Sequence, residues 1–416
     1  MSFSELSVEI TRLLSKDEKK KGGIFFTPRG IISKNVKFLK DNGYLQADTK
    51  VLEPSCGSCE YVHEINKHNP HSIHAIEYNP TIYNKIKSLE NGYSNLQIQN
   101  LDFLEYNPDE TYDLIIGNPP YFVMKKNEVS NEYYDYFNGR PNIFILFIIK
   151  SLNLLSENGV LSFILPKNFL SCSYYNETRE YIYKRFNIIR IEECMDERYI
   201  DTQQPTIMFI VQKKTPDVNK VFVIESLLPK HTIFNTPENI CKLNELYADS
   251  KTLKELDFTV SVGSVVWNQC KSPDNGPPTK KFPAILTDDS SKTRLIYSAD
   301  IKDNNLILST FKNPQKKNYI DKPGIDDMLL IINRGYGKGE YLFNCCIVDI
   351  TDKYLLENHV IFVKYTKNID NSELKEVYTK IIQSFNDSRT KRFIKLYVGN
   401  SALNTKELNH ILPIYL

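Results

Sequence analysis

The sequence predicts an α/β protein of two domains, a mostly parallel sheet followed by a separate α+β or mainly-β domain. Three observations predict it. In the first half, short apolar runs alternate with helical patterns, the signature of parallel strands joined by crossover helices. After about Pro229 that alternation stops, and strand-like pieces lie between polar Gly/Pro/Asn loops. The length, 416 residues, is enough for two or three domains at roughly 100–200 residues each.

The elements follow in order. A leading helix over 6–14 runs into Lys19-Lys20-Lys21-Gly22-Gly23, whose charge and double glycine predict a flexible joint. Thr27 is placed as an N-cap and Pro28 at the first position of a helix ending near Gly43. The βα alternation then sets in: strands over 50–52, 72–76, 96–98 and 112–116, with a helix through Ile65 and another from Asn79-Pro80 to Gly92. A helix over 143–155, a strand over 159–165, a helix over 174–185 and strands over 188–191 and 206–211 complete this half. Beyond it, strands are expected over 260–267, 306–309, 328–333, 342–348 and 359–365, with helices over 372–385 and 389–397. The last segment, 404–416, reads as a short capped helix running into Leu412-Pro413-Ile414. The domains are therefore set at 1–228 and 229–416.

Composition excludes several classes. Hydrophobic residues at 41% and charged residues at 25% argue against a disordered or fibrous chain. With 52 Lys and Arg against 51 Asp and Glu, any nucleic-acid binding must come from basic residues gathered on one face. No apolar run approaches the roughly 20 residues of a membrane span; the run 143–149 stops at Lys150. The N-terminus lacks the pattern of a secretory signal, so a cytoplasmic location with reduced thiols is expected for the eight cysteines. Cys56-x-x-Cys59 has no second ligand pair after it and is read as a turn, with no metal.

In open parallel sheets, ligands sit beyond the carboxyl ends of the strands, and four polar strand ends collect there. Glu53-Pro54-Ser55-Cys56-Gly57 forms a turn that allows close backbone approach at a helix N-terminus. Glu77, at the end of the second strand, can accept hydrogen bonds from ribose hydroxyls. Asp102 can pair with an adenine amino group while Phe103 stacks on the ring. Taken singly, these are equally an ordinary turn, a solvated glutamate and an N-cap aspartate. Asn118-Pro119-Pro120-Tyr121 carries more weight. Two prolines after an apolar strand turn the chain out of the ladder and leave the Asn side chain and a proline carbonyl as acceptors. An exocyclic amino group conjugated to a purine is a poor nucleophile; two acceptors holding its hydrogens favour pyramidalisation and direct its lone pair. Tyr121 can stack on such a ring.

Phe26-Thr27-Pro28, the turn from Glu53 to Gly57, Glu77, Asp102-Phe103 and Asn118 to Tyr121 resemble, in that order and spacing, the γ-class (TaqI-like) DNA adenine-N6 methyltransferases. The motif match covers roughly residues 24–212. The resemblance implies a Rossmann-like class I methyltransferase sheet with a C-terminal α+β target-recognition domain, and S-adenosylmethionine as cofactor. It implies that Phe26, Thr27, Pro28, Glu53, Pro54, Ser55 and Gly57 hold the methionine end, Glu77 the ribose, and Asp102 and Phe103 the adenine, with Tyr78 and Asn118 also among the cofactor-binding residues. Asn118, Pro119, Pro120 and Tyr121 would hold a target base flipped from its duplex, with Tyr199 as a second aromatic against it. Two residues depart from the family pattern: Cys59 replaces a glycine of the cofactor turn, and Tyr61 replaces a phenylalanine. Catalysis in such a site comes from positioning and dipolar acceptors and requires neither metal nor strong base.

Contacts to DNA phosphates are expected from Lys125 and Lys126, and from Lys316, Lys317, Arg334 and Lys338 in the second domain. The expected partners are double-stranded DNA and a separately encoded restriction endonuclease, with the chain a monomer in a bacterial cell or a viral host. Three rivals remain. A protein-glutamine N5 methyltransferase shares the Asn-Pro-Pro-Tyr chemistry but lacks a large second domain. An RNA adenine methyltransferase and a catalytically idle DNA binder are the others.

Overall fold

The computed structural model describes residues 3–194, 199, 200, 202, 204–214, 219–225, 231–270, 284–309, 313, 315–333, 343–397 and 403–416. It divides into two compact units, Met1–Ile240 and Cys241–Leu416.

In the first unit, strands Lys50–Glu53 (β1), Ser72–Ile76 (β2), Leu96–Gln99 (β3), Tyr112–Gly117 (β4), Leu155–Pro166 (β5), Asn187–Glu193 (β6) and Thr206–Gln212 (β7) form one sheet, in the order β3-β2-β1-β4-β5-β7-β6. β1 to β5 are parallel, and β7 runs antiparallel to β5 and β6. This is the Rossmann-like class I methyltransferase sheet expected from the sequence. The strand order reverses between β1 and β4, so the crevice of such sheets opens at Glu53 and Asn118, just beyond their carboxyl ends.

Helices Glu5–Leu13 (α1), Lys16–Gly22 (α2), Arg29–Asp41 (α3), Glu60–Asn66 (α4), Pro80–Ile86 (α5), Ile143–Leu154 (α6) and Asn176–Arg185 (α7) cover the sheet. Alternate strand residues serve opposite faces. Val51, Ile73, Leu114 and Ile116 pack with Ile32 and Val36 of α3 and Val62 of α4. Leu52, Ile115, Leu161 and Phe209 pack with Phe144 and Ile148 of α6 and Ile182 of α7. Burial on both faces is why these strands read as continuous apolar runs. Ten of the twelve residues of α6 are buried.

Four expectations fail, among them the strand over 306–309, of which only Leu306 is in a strand, the two-residue Asn305–Leu306. The lysine-rich segment is no joint: it is α2, started by a capping box between Ser15 and Glu18 and ended by Gly23 at φ 61°. The satisfied termini outweigh the repulsion of three exposed lysines. Thr27 is not an N-cap; α3 begins one residue later, with Pro28 at that position and Thr27 buried. In the second unit, the strand expected over 260–267 is Phe258–Val262, and the chain then makes a short 3-10 turn at Trp267–Gln269.

The second unit has a four-stranded antiparallel sheet, in the order Phe258–Val262, Val360–Tyr365, Leu329–Asn333, Cys345–Val348. A second, mixed sheet joins Leu286–Thr287, Tyr319–Ile320, Thr293–Ile296 and Tyr354–Leu356. Helices Asn371–Asn386, Ser388–Tyr397 and Thr405–His410 follow, the last with an Asn404/Glu407 capping box. All eight cysteines are free. No helix among the described residues is long and apolar enough to cross a membrane.

Candidate active site

The turn after β1 is latched to the end of β2. Cys56 N–H donates to the Ile76 carbonyl at 2.9 Å, and Gly57 N–H donates to Glu77 Oε2 at 2.9 Å. Asn79 N–H donates to Glu77 Oε1 at 2.7 Å, so both carboxylate oxygens are held by backbone. Burial still dominates and raises the Glu77 carboxyl to about 7. Gly57 sits at φ 52°, and a Cβ there would lie 3.1 Å from the Phe26 ring, which closes over the turn. Cys59, where the family has glycine, is held at φ 62° as the N-cap of α4. That left-handed conformation costs an L-residue about 1 kcal/mol. Tyr61, the other departure, is buried and accepts a hydrogen bond from Asn35 Nδ2 at 3.0 Å, while Ser162 Oγ donates to Asn35 Oδ1 at 2.8 Å. The helix that follows Phe-Thr-Pro is thus tied to both α4 and β5.

Glu53 is 2% exposed, and its Oε2 has no hydrogen-bond partner among the described residues. Burial, then repulsion from Glu77, pushes its carboxyl well above the usual range. A buried acceptor lacking a donor, next to a turn that glycine keeps open, fits a ligand that carries an ammonium group. The methionine end of S-adenosylmethionine has one.

Asp102 lies at the end of β3 and is half-buried; its Oδ1 accepts from Leu104 N–H at 2.8 Å. Tyr78 is 73% exposed beside Glu77. Phe103 corrects the sequence expectation. It is 1% exposed, with its ring packed against Phe147 at a centroid distance of 4.8 Å, so neither face is open to stack on an adenine. The apolar residue shapes the loop from beneath.

Asn118 of the Asn-Pro-Pro-Tyr segment meets Phe25, the residue before Phe-Thr-Pro and 93 positions earlier in the chain. Asn118 Nδ2 donates to the Phe25 carbonyl at 3.1 Å, which fixes the orientation of the amide and so the direction of Oδ1. Ser55 Oγ donates to the Asn118 carbonyl at 3.1 Å, joining the cofactor turn to the same residue. The Tyr121 hydroxyl lies 2.5 Å from Asn118 Oδ1 and 2.7 Å from the Ile164 carbonyl, one proton between two acceptors. Its ring meets Phe144 edge-on. Burial, then the nearby Tyr199, keeps the Tyr121 phenol neutral far above its usual range. Gly23, also in the left-handed region, approaches so closely that a Cβ there would lie 2.6 Å from Tyr121 N.

Tyr199 is 9% exposed, its hydroxyl 3.1 Å from Thr206 Oγ1 at the start of β7. It lines a recess with Thr11, Lys19, Ile24, Phe25 and Phe26. The structure therefore brings Tyr199 to the Phe-Thr-Pro segment, with its ring mostly covered.

The expected phosphate contacts are not free cations. Lys125 pairs with Glu128 at 3.3 Å, and Lys126 lies 4.6 Å above the Tyr134 ring. Both remain exposed. Lys316 sits 5.2 Å above Trp267 and 4.9 Å above Tyr297, and Lys317 pairs with Asp288 at 2.6 Å. Arg334 and Lys338 lie outside the described residues.

Sequence reasoning missed the Phe25 carbonyl and Gly23, whose roles rest on backbone and leave no side-chain signature. It also missed Ser7, a fully buried residue of α1 whose Oγ lies 2.8 Å from Ser58 Oγ and donates to Glu60 Oε1 at 3.0 Å. A lone serine on the apolar face of an amphipathic helix was the available signal.

The family model for Eco57I restriction-modification methylases matches residues 4–199. The chain is 27% identical to the type II methyltransferase M.CvrRI of Paramecium bursaria Chlorella virus XZ-6E, over 99% of both chains. It is 25% identical to the modification methylase CviBIII of Paramecium bursaria Chlorella virus NC1A, again over 99% of both. Similarity to the type II methyltransferase M.AccI of Acinetobacter calcoaceticus is 30% over 184 residues, covering 42% of this chain and 34% of that one. The class I methyltransferase sheet, a buried acceptor that fits an ammonium group and these motifs at the switch point agree with those matches: residues 4–199 are similar to the restriction-modification methylases, and the chain is a DNA methyltransferase that uses S-adenosylmethionine.

Proposed function

We propose that the enzyme methylates the exocyclic N6 of an adenine flipped out of a short, specific duplex sequence. The observation that carries this reading is the fixed Asn118 amide, oriented by the Phe25 carbonyl and directly followed by Pro119, Pro120 and Tyr121. Asn118 Oδ1 and the Pro119 carbonyl accept hydrogen bonds from the two amino hydrogens, so the nitrogen lone pair is turned toward the cofactor side of the crevice; the N–C bond would form as the S–C bond breaks and the thioether leaves, and one N–H proton would depart to solvent after transfer. As the base enters, Tyr121 gives up Asn118 Oδ1 and keeps the Ile164 carbonyl as acceptor. Pro120 and the rings of Tyr121 and Tyr199 provide apolar surface against the base.

S-adenosylmethionine, when bound, supplies a sulfonium-activated methyl group. Phe26, Thr27, Pro28 and the turn Glu53, Pro54, Ser55 and Gly57 hold its methionine end, with Glu53 Oε2 facing the ammonium. Glu77 accepts from the ribose hydroxyls through its remaining lone pairs, and Tyr78 and Asp102 border the adenine. The domain after the methylase domain reads the target duplex, and Lys125 and Lys126 exchange local partners for phosphates. A separately encoded restriction endonuclease with the same recognition sequence is the functional partner, and the chain acts as a monomer.

Asn118→Ala tests the mechanism. Transfer of labelled methyl groups to unmethylated DNA should fall by about a thousandfold or more, since both base orientation and amino-group polarisation are lost. Cofactor affinity should change little, because the Glu53 turn and Glu77 are untouched. Turnover within tenfold of the parent would remove Asn118 from the chemistry.

A further inference from the structure

Helix α6 carries one charge in an otherwise apolar core position. Lys150 is 8% exposed, on a helix whose neighbouring turns are Phe147, Ile148 and Leu154. A lysine ammonium leaves water only where acceptors replace it. Its Nζ donates to the Leu104 carbonyl at 2.7 Å and to Asn107 Oδ1 at 3.2 Å, and lies 5.8 Å above the Phe103 ring. Phe147, three residues earlier and hence on the same helix face, packs on that ring. Burial pulls the Lys150 amine below the ordinary lysine range, and the carboxylates of Glu132, Asp102 and Glu105 oppose it.

The loop 102–107 is therefore clamped twice. Asp102 ties its own start through Leu104 N–H, and Lys150 ties its middle and end from below. The first residue of that loop is the one placed at the cofactor adenine. A neutral, shorter side chain at 150 would leave the Leu104 carbonyl without this donor and release Asn107.

We propose that Lys150 is a positioning residue for S-adenosylmethionine, holding the loop 102–107 in the shape that receives the adenine. This rests on the placing of Asp102 at the adenine. Lys150 touches neither cofactor nor DNA and acts only through the loop.

The test compares Lys150→Met, Lys150→Arg, Asn107→Ala and Asp102→Ala with the parent. Isothermal titration with S-adenosylmethionine gives affinity, retardation of unmethylated DNA gives DNA binding, and thermal melting gives stability. Lys150→Met should weaken cofactor binding by about tenfold, the loss of a charge-assisted hydrogen bond, with DNA binding unchanged. Lys150→Arg should recover part of the loss, and exposed Asn107→Ala, which leaves the core intact, should weaken binding by about threefold. The proposal is overturned if Lys150→Met and Asn107→Ala bind cofactor as the parent does while Asp102→Ala does not. A lower melting temperature with unchanged cofactor affinity also overturns it. Should Lys150→Met fail to fold, Lys150→Arg and Asn107→Ala decide. If Asp102→Ala keeps full affinity, the adenine placing fails and the proposal falls with it.

Discussion

At the scale of single residues, the cofactor crevice concentrates buried carboxylates. Glu53 and Glu77 are 2% and 7% exposed, and both are pushed up mainly by burial. This has a consequence for stability. The Glu77 carboxyl rises from 4.5 to about 7 in the fold, so between those values the native state holds a proton that the unfolded chain has released. Its contribution to stability is complete below about pH 4.5 and is lost as pH rises through 7, about 3 kcal/mol in all. Urea unfolding of the cofactor-free protein at pH 5 and pH 8 should show this fall relative to Glu77→Gln, which does not titrate. Parallel pH dependence in the two proteins would contradict a Glu77 carboxyl raised by burial in spite of its two backbone hydrogen bonds. The residue types at the site were legible in the sequence because each stands at a strand end, where the fold delivers ligands. Phe103 was misread because Asp-Phe at a strand end gives no indication of which way the ring turns; the fold points it into the α6 face. The local partners of the lysines were hidden for a related reason: sequence shows charge, and only the fold shows the acidic or aromatic group beside it.

At the scale of elements, the N-terminal segment is built into the candidate catalytic crevice. α1 is anchored by Ser7 to Ser58 and Glu60, and α2 ends at Gly23 against Tyr121. Phe25 then lends its carbonyl to Asn118. Gly23→Ala combines a left-handed φ of 61° with a Cβ 2.6 Å from the Tyr121 nitrogen, so the two segments must separate. The expected result is a fall in kcat/KM of at least about tenfold, with a loss of roughly 1–3 kcal/mol in stability. Activity equal to the parent would show that the segments are not coupled. The parallel strands were legible from their apolar runs and the helices after them from Asn79-Pro80 and similar caps. α2 was not, since a seven-residue, lysine-rich helix has no apolar stripe and exists through its two termini. In the second unit, the strand at Phe258–Val262 ends sooner than its apolar pattern suggests. A Cβ at Gly263 would lie within 2.2 Å of the Glu357 carbonyl, so the backbone packs there too tightly to continue with side chains.

At the scale of the whole molecule, the first unit carries a methylase sheet whose strand order and motifs account for the chemistry. The proposal of adenine-N6 as the target rests on the Asn118 to Tyr121 geometry, which suits a planar amino group held by two acceptors. The second unit separates this reading from a protein-glutamine methyltransferase. A glutamine amide would use the same acceptors, yet the 176 residues of the second unit, Cys241–Leu416, have no part in that reaction. They suit a long polymer whose sequence must be gripped and read. The most direct test is single-molecule or nanopore sequencing of DNA from cells expressing the chain, beside cells expressing Asn118→Ala. The account predicts N6-methyladenine at one short sequence motif with the parent chain and none with the variant. Methylation on cytosine, or the same adenine mark with Asn118→Ala, would contradict it.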